Sequence, residues 1–297
     1  MALSKWVEFF DELEHVRGRS LNTIQAYRHD LESFDEFLQK HKDLKEIYHF
    51  LSKKKLSTRS QARIISSIRT YYRFLASKGE KIPDLTQLRP PRVSAALPEV
   101  LSYEDFQKLF HACVTDDPLK SARNQITLLL LFGLGCRVTE LIQLDVRDFV
   151  PTEGWLKVLG KGNKERMIPL TEQLQQELVA YLEKARPHLC KEGETSILVN
   201  DRGRRPSRVD IWRWLDSWSK KAGFQETINP HKFRHGCATA LLDAGADLRS
   251  IQKLLGHSSI QTTQIYTSVS TVKMKETIDQ HHPLSSSNKN SLPETEI

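Results

Sequence analysis

A segment that contains three prolines most constrains the fold, because it divides the chain into two parts. Residues 89–98 read Arg-Pro-Pro-Arg-Val-Ser-Ala-Ala-Leu-Pro. Proline lacks an amide hydrogen and keeps the residue before it extended, so this segment favours an extended connector over a helix. The 297 residues leave room for two domains. We therefore predict a boundary near Ala95, with a first domain at 1–94 and a second at 95–284. The polar tail at 285–297 contains no aromatic residue, and we expect it to be disordered.

The first domain is predicted to be helical, with a basic face on one of its helices. Residues 20–38 carry apolar side chains at alternating spacings of three and four, which is typical of an amphipathic helix. Residues 58–77 show the same period, with isoleucines, tyrosines and a leucine on one arc. The opposite arc carries four arginines and no acidic residue: Arg59, Arg63, Arg69 and Arg73.

The net positive charge is concentrated around that second helix. Residues 40–92 carry 14 Lys+Arg and 4 Asp+Glu, a balance of +10, whereas the whole chain is +7. A merely solvated face explains most amphipathic helices, but this local excess favours contact with the phosphates of a polyanion. We therefore predict that the four arginines contact double-stranded DNA.

Other classes of protein are disfavoured by the composition. No stretch approaches the roughly 18 apolar residues of a membrane span, and acidic residues at Glu8, Asp11 and Glu12 stand where a signal peptide would be apolar. We expect a cytoplasmic protein without membrane contact. The four cysteines are far apart and form no Cys-x-x-Cys pair, so neither a zinc site nor a disulfide framework is indicated.

The second domain is predicted to be mainly α-helical with a small β-sheet. Ser102 is a suitable cap for a helix, and a long apolar helix should run through 126–132. Two short apolar or alternating runs at 155–159 and 165–170 flank the sequence Gly-Lys-Gly-Asn-Lys, which is typical of a hairpin with a glycine-rich turn. Further helices are expected near 171–185, 207–222, 231–244, 247–255 and 271–280.

Two basic positions in the first half of this domain are candidates for phosphate contact. Arg137 follows Leu-Gly-Cys and precedes Val-Thr-Glu-Leu, so it should enter a helix just after a glycine turn, with Glu140 on the same helix face. Lys161 lies between two glycines of the hairpin turn, where a phosphate could approach closely. Lys164 and Arg166 of the same hairpin are candidate phosphate-steering charges. An ordinary ion pair and a solvated turn are the alternatives at Arg137 and Lys161.

A second group of candidates lies between residues 231 and 266. His231 and Arg234 are one turn apart at a predicted helix N-terminus, where the helix dipole favours an anion. His257 follows Gly256, the expected left-handed cap of the 247–255 helix. Tyr266 comes nine residues later in a polar segment. Each residue taken singly favours a packing or surface role, but a phenol flanked by imidazoles and a guanidinium could attack a phosphodiester without a metal.

Taken together, these positions resemble the tyrosine recombinase (phage integrase) superfamily, and the surrounding words resemble its Xer type. The resemblance rests on Arg137, on Lys161 in its turn and on four motifs: Gly-Lys-Gly-Asn-Lys-Glu-Arg, Pro-His231-Lys-Phe-Arg234-His, Leu-Gly-His257-Ser-Ser-Ile and Thr-Thr-Gln-Ile-Tyr266-Thr. Residues 20–38 resemble the first helix of the family's core-binding domain. The resemblance implies an N-terminal helical, SAM-like core-binding domain followed by an α+β catalytic domain.

The resemblance also implies a mechanism. Tyr266 would form a 3′-phosphotyrosyl bond, while Arg137, Arg234 and His257 stabilise the phosphoryl oxygens. Lys161 would protonate the leaving 5′-oxygen and His231 would accept the tyrosine proton, with no metal, ATP or other cofactor. Strand exchange would proceed through a Holliday junction, as in the resolution of chromosome or plasmid dimers during cell division.

The implied assembly is a tetramer on two DNA duplexes, formed with copies of this chain or with a related recombinase. Each C-terminal helix, here 271–280, would dock on a neighbouring subunit. A septal DNA translocase is a further possible partner. The segment His282-Pro283-Leu284 lacks an arginine that often follows the proline in Xer proteins, which leaves regulation by a partner less certain than catalysis.

Three other functions remain open from the sequence. A phage- or transposon-type integrase would use the same chemistry on different sites, and residues 1–19 are too short for its additional arm-binding domain. A type IB topoisomerase shares the arginine, lysine, histidine and tyrosine positions. A DNA-binding regulator would use the basic helix without cleaving DNA, and the full set of six reactive positions argues against it.

Overall fold

The computed structural model describes residues 2–17, 21–41, 43–91, 100–160, 164–256 and 268–285. The chain divides into two compact units, 1–98 and 99–297. The connector at 92–98 lies outside the described residues, as do three candidate site residues: Lys161, His257 and Tyr266.

The first unit is a helical domain built around two long helices. Helix α2 (Leu21–Lys40) and helix α4 (Thr58–Ser77) confirm the helices predicted at 20–38 and 58–77. They pack against each other, with Phe34 edge-on to Tyr72 at 5.8 Å between ring centroids. The sequence analysis did not predict the other elements, which are α1 (Ala2–Asp11), a π-helical turn at Glu12–Val16, α3 (Ile47–Lys53) and 3₁₀ turns at Leu44–Glu46 and Leu85–Gln87.

Aromatic side chains of α1 and α4 form much of this unit's core. Phe9 lies edge-on to Tyr71 at 5.2 Å and 5.3 Å from Phe74, measured between ring centroids. Ser57 begins α4 because its hydroxyl accepts a hydrogen bond from the Ser60 amide at 3.2 Å. The first unit therefore has a hydrophobic core of its own.

The second unit begins with helices and continues into a small sheet. Helix α5 (Tyr103–Ala112) starts at the predicted Ser102 cap, and α6 (Pro118–Leu134) contains the predicted long apolar helix. The next elements are α7 (Val138–Leu141), a 3₁₀ turn at Val146–Asp148, β1 (Phe149–Val150), β2 (Trp155–Leu159) and β3 (Glu165–Pro169). Among the described residues these strands form one antiparallel sheet in the order β1-β2-β3. The predicted hairpin is confirmed, and β1 is an addition to it.

Five further helices complete the second unit as the structure describes it, and all but one were predicted. They are α8 (Glu172–Ala180), which continues into a π-helical turn at Tyr181–Ala185, α9 (Arg186–Leu189), α10 (Arg208–Lys221), α11 (Pro230–Asp243) and α12 (Leu248–Leu255). The short α9 was not predicted. After a gap in the description, α13 (Ser268–His281) covers the predicted helix at 271–280.

Helix α6 lies at the centre of this unit's core. Its residues from Ser121 to Leu134 are buried almost without interruption, and α11 packs against it closely. Gly236 of α11 allows this approach, because a Cβ there would lie 2.7 Å from the Leu101 carbonyl oxygen. Cys113, Cys136 and Cys237 are buried and Cys190 is partly exposed, and all four are free thiols.

The C-terminal helix packs on its own unit. Helix α13 contacts α11, α12 and β3, and its Ile278 is buried in the core. The chain then turns inward, so that His282 and Leu284 are fully buried. Ser285 is also buried, which corrects the prediction that the disordered tail begins at this residue. The remainder of that tail, 286–297, lies outside the described residues. No helix in the described parts of the chain is long and apolar enough to span a membrane.

Candidate active site

Arg137 stands at a glycine turn between two helices. Helix α6 ends at Gly135, whose φ of 53° places it in the left-handed region that glycine favours. A Cβ at Gly135 would lie 2.6 Å from the Leu255 Cδ2 atom, so the neighbouring packing also requires glycine. Arg137 is the N-cap residue of α7, as predicted. Its side chain is about one-third exposed, at 36%, and is accessible to a ligand.

Glu140 fixes the direction of the Arg137 side chain. Its Oε2 accepts the Arg137 amide at 2.8 Å, and its Oε1 accepts Arg137 Nη1 at 2.9 Å. Burial alone would raise the pKa of Glu140, but hydrogen bonds from Arg166 and Arg137 outweigh that effect and hold the pKa below its ordinary value. Glu140 is therefore a buried carboxylate that holds two arginines.

Arg166 is the second arginine on this carboxylate, which corrects its prediction as a phosphate-steering charge of the hairpin. Its Nη2 and Nη1 atoms donate to the two oxygens of Glu140 at 2.8 and 3.2 Å. Its Nε donates to the Leu254 carbonyl at 3.0 Å. The side chain is only 8% exposed, so it cannot present a charge at the surface.

Arg234 joins the same region from α11. Asn229 caps this helix by accepting hydrogen bonds from the amides of His231 and Lys232. One turn into the helix, Arg234 donates from Nη1 to the Gly135 carbonyl at 2.7 Å and from Nη2 to the Leu255 carbonyl at 2.6 Å. Burial, followed by repulsion from Arg137, lowers the pKa of Arg234 to about 10.

The structure therefore brings three of the candidate arginines together, around a single carboxylate. Arg137, Arg166 and Arg234 surround Glu140 or the glycine turn beside it, and their formal charges sum to +2 with that carboxylate included. Arg137 is partly exposed at this cluster. Such an arrangement attracts an anion to the Arg137 side.

The remaining catalytic candidates are only partly reached by the description. His231 is exposed in the first turn of α11. Gly256 is left-handed, with a φ of 66°, which confirms it as the cap of α12, and His257 is the next residue in the chain. Lys161, His257 and Tyr266 themselves lie outside the described residues, so their predicted roles stay predictions.

The DNA-binding candidates of the first unit divide into two pairs. Arg63 pairs with the buried Asp30 at 2.5 Å, and Arg69 donates to two main-chain carbonyls near the end of the unit. Arg59 and Arg73 are exposed and form no hydrogen bond or ion pair with the residues that the structure describes. Lys164 of the second unit is also exposed. The accessible candidates are therefore Arg59, Arg73 and Lys164, while Arg63 keeps partial exposure.

Sequence reasoning identified Arg166 but missed its structural position. Arg166 and the fully buried Ile168 are two residues apart in β3 and therefore lie on the same face of the strand. Arg166 also pairs with the buried Val158 of β2. The alternation of the strand was thus a signal that Arg166 points inward, and it was not used.

Comparison with known proteins agrees with this fold and with these motifs. A family model described as the phage integrase family matches residues 99–272, and one described as the N-terminal SAM-like domain of phage integrases matches residues 7–79. The chain belongs to the phage integrase family. Within it, the chain is an Xer-type tyrosine recombinase, similar to proteins named tyrosine recombinase XerD. It is 38% identical to the one from Listeria innocua, over 93% of this chain and 97% of the relative. It is 34% identical to the one from Shewanella oneidensis, over 93% and 95%.

Solved structures of other recombinases share the fold of this phage integrase family member. One is the XerH site-specific recombinase bound to a palindromic difH substrate, with a TM-score of 0.65 and 24% identity over 91% of this chain and 84% of that chain. Another is a lambda integrase dimer bound to a COC′ core site, with a TM-score of 0.66 and 18% identity over 90% and 100%. The mainly α fold with a small sheet is therefore that of a tyrosine recombinase.

Proposed function

We propose that this site-specific tyrosine recombinase cleaves and rejoins DNA through a 3′-phosphotyrosyl intermediate. The observation that supports this most is the convergence of Arg137 and Arg234 at the Gly135 turn, with Glu140 holding Arg137. Two guanidiniums at one turn suit the two non-bridging oxygens of a phosphodiester. This site would act on double-stranded DNA.

The proposed reaction balances without an added cofactor. The Tyr266 phenol oxygen attacks phosphorus as the bond from phosphorus to the 5′-oxygen breaks. His231 accepts the phenol proton, and Lys161 donates a proton to the leaving 5′-oxygen. Arg137, Arg234 and His257 stabilise charge on the non-bridging oxygens. The new ester to tyrosine retains the energy of the broken ester, so ligation by a second 5′-hydroxyl needs no ATP or metal.

The proposed biological role is the resolution of chromosome or plasmid dimers through a Holliday junction during cell division. Similarity to XerD proteins over nearly the whole chain supports this role, and dimer resolution would take place on DNA in the cytoplasm. The active assembly would be a tetramer of this chain or of this chain with a related recombinase, in which α13 docks on the neighbouring subunit. A septal DNA translocase would be its regulator.

The first prediction tests the nucleophile. A nicked duplex that contains the recombination site should trap a covalent protein–DNA adduct, because the short cleaved fragment diffuses away. Tyr266→Phe should form no adduct while it binds the duplex normally, since the substitution removes only the attacking oxygen. Tyr27→Phe, which keeps the ring stacked near Phe9, is the matched control and should react normally. An adduct from Tyr266→Phe on a denaturing gel would rule out Tyr266 as the nucleophile.

The same adduct distinguishes the other functions. Sequencing the DNA that is joined to Tyr266 in cells should return one chromosomal or plasmid site. Sites confined to a mobile element would favour a phage- or transposon-type integrase. Binding without any adduct would favour a regulator that does not cleave DNA.

A further inference from the structure

Arg166 connects three elements that carry residues of the proposed site. Its backbone belongs to β3, directly after the hairpin turn, and its guanidinium holds Glu140 of α7 through two hydrogen bonds. The third nitrogen, Nε, holds the carbonyl of Leu254 near the end of α12. One planar group thus fixes the hairpin, the helix that follows Arg137 and the helix that precedes His257.

The surrounding chain is shaped to this guanidinium. A Cβ at Gly256 would lie 3.2 Å from Arg166 Nη1, and a Cβ at Gly160 would lie at the same distance from the same atom. Glycine at both positions leaves space for the planar group between the hairpin and the end of α12. A lysine ammonium could replace one of the three hydrogen bonds, but it lacks the fork that spans both carboxylate oxygens.

A buried ion pair of this kind is a poor source of net stability. Side-chain exposure is 8% for Arg166 and 4% for Glu140, so both charges have lost most of their hydration. The cost of that desolvation can equal or exceed the attraction between the charges. What the pair does supply is orientation, because Glu140 Oε1 accepts from both Arg166 Nη1 and Arg137 Nη1, at 3.2 and 2.9 Å.

We propose that Arg166 is a positioning residue for DNA cleavage, which aligns Arg137 with the scissile phosphate through Glu140. Without Arg166, the Glu140 carboxylate could rotate, and Arg137 would lose the partner that sets its direction. The hydrogen bond to Leu254 also holds the end of α12 against the same carboxylate. This inference depends on the proposed cleavage reaction and assigns to Arg166 a role that involves no contact with DNA.

The test measures the rate of covalent adduct formation at saturating protein. Arg166→Met should slow the reaction by about 10- to 100-fold, the loss typical of a displaced catalytic group, while DNA affinity stays normal. Lys164→Met removes an exposed charge from the same hairpin and should leave the rate unchanged. Arg123→Met removes another buried arginine, one that pairs with Asp201, and should lower the melting temperature without slowing the reaction of the folded protein.

A modified substrate separates positioning from general loss of structure. A methylphosphonate at the scissile position removes the charge on one non-bridging oxygen, so that a misaligned Arg137 matters less. The defect of Arg166→Met should therefore shrink at least severalfold on methylphosphonate, as should that of Arg137→Ala. The double variant should react no more slowly than Arg137→Ala alone. Equal defects on both substrates, or additive defects in the double variant, would overturn the proposal.

Two further outcomes are distinguishable. If Arg166→Met unfolds at the assay temperature, Arg166→Lys carries the same test, since it keeps the charge and loses the fork. If the unmodified protein forms no adduct, the proposed function itself fails. If the unmodified protein reacts and Arg166→Lys matches its rate on both substrates, only the positioning role fails.

Discussion

At the scale of single residues, arginine suits the candidate site better than lysine would. Arg234 reaches two main-chain carbonyls, those of Gly135 and Leu255, from different nitrogens of one planar group. Burial and the nearby Arg137 lower the pKa of Arg234 only to about 10. Arg234 therefore keeps its positive charge at neutral pH. An ammonium group has a lower ordinary pKa and a single nitrogen, so it would lose more charge and fewer contacts would survive.

The second prediction, also at this scale, concerns DNA contact by the first unit. Arg59→Ala combined with Arg73→Ala should weaken binding across sequences, because both side chains are exposed and free of partners within the described residues. The slope of log K against log salt should become shallower by about two if each arginine contacts one phosphate. Filter binding or fluorescence anisotropy at several salt concentrations measures this slope.

Arg69→Ala is the matched control for that pair. Its guanidinium holds the carbonyls of Leu85 and Leu88 at 2.9 and 2.7 Å, so its loss should lower the melting temperature and change the salt slope little. An unchanged slope in the Arg59 and Arg73 double variant would mean that these arginines form a solvated face.

At the scale of elements, the period of apolar residues predicted the long helices and the hairpin, but short elements and side-chain partners needed the folded chain. Strand β1 has two residues and exists through its pairing with β2. The helical period placed Arg63 on an outer face, but it could not show Asp30, 33 positions earlier and buried, as its partner. The Arg137–Glu140 pair was predictable because both residues lie in one turn. The Arg166–Glu140 pair joins residues 26 positions apart, and only tertiary structure brings them together.

The third prediction concerns the loop between α9 and α10, which Glu194 closes. Its two carboxylate oxygens accept the amides of Ser196 at 3.0 Å and Arg205 at 2.9 Å. These hydrogen bonds, the one from Ser196 above all, lower the pKa of Glu194 to about 2, against an ordinary value of 4.5. A carboxyl with a lowered pKa stabilises the fold above its ordinary pKa, and this stabilisation is lost as the pH falls from 4.5 towards 2.

Glu194→Gln should therefore lower the free energy of unfolding at pH 7 by about 1–2 kcal/mol, after allowance for solvent screening. It should also flatten the loss of stability between pH 4.5 and 3. Urea denaturation across this pH range measures both effects. Glu192→Gln, at an exposed neighbouring position, is the control and should follow the unmodified protein. An acid limb that is equally steep in Glu194→Gln would assign it to other carboxylates.

At the scale of the whole molecule, the chain beyond α13 returns to the centre of the second unit. His282 Nδ1 accepts the Leu284 amide at 3.1 Å, and the imidazole lies beside Cys237, with 3.9 Å between Nε2 and Sγ. A Cβ at Gly133 of α6 would come within 3.9 Å of the same ring. Gly133 is two residues before the Gly135 turn that precedes Arg137. The packing of the C-terminal segment is thus close in the chain to the candidate active site.

The last prediction uses this buried imidazole. Burial lowers the pKa of His282 to about 4, from an ordinary value of 6.5, although a hydrogen bond with the Gly133 backbone opposes the shift. The folded state therefore favours neutral histidine, so the stabilisation is complete above pH 6.5 and is lost as the pH falls towards 4. The second unit should lose about 3 kcal/mol of unfolding free energy over this interval. Tryptophan fluorescence during urea unfolding reports on it, because Trp6 alone of the five tryptophans lies in the first unit.

His282→Gln removes the titrating group and should abolish the decline between pH 6.5 and 4, at the expense of lower stability at pH 7. His281→Gln alters a partly exposed neighbour in the same helix end and should keep the decline. Because the segment packs near the Gly135 turn, the acid loss of stability should be accompanied by slower adduct formation in the unmodified protein, and this parallel should weaken in His282→Gln. A decline that persists unchanged in His282→Gln would place its origin in another group.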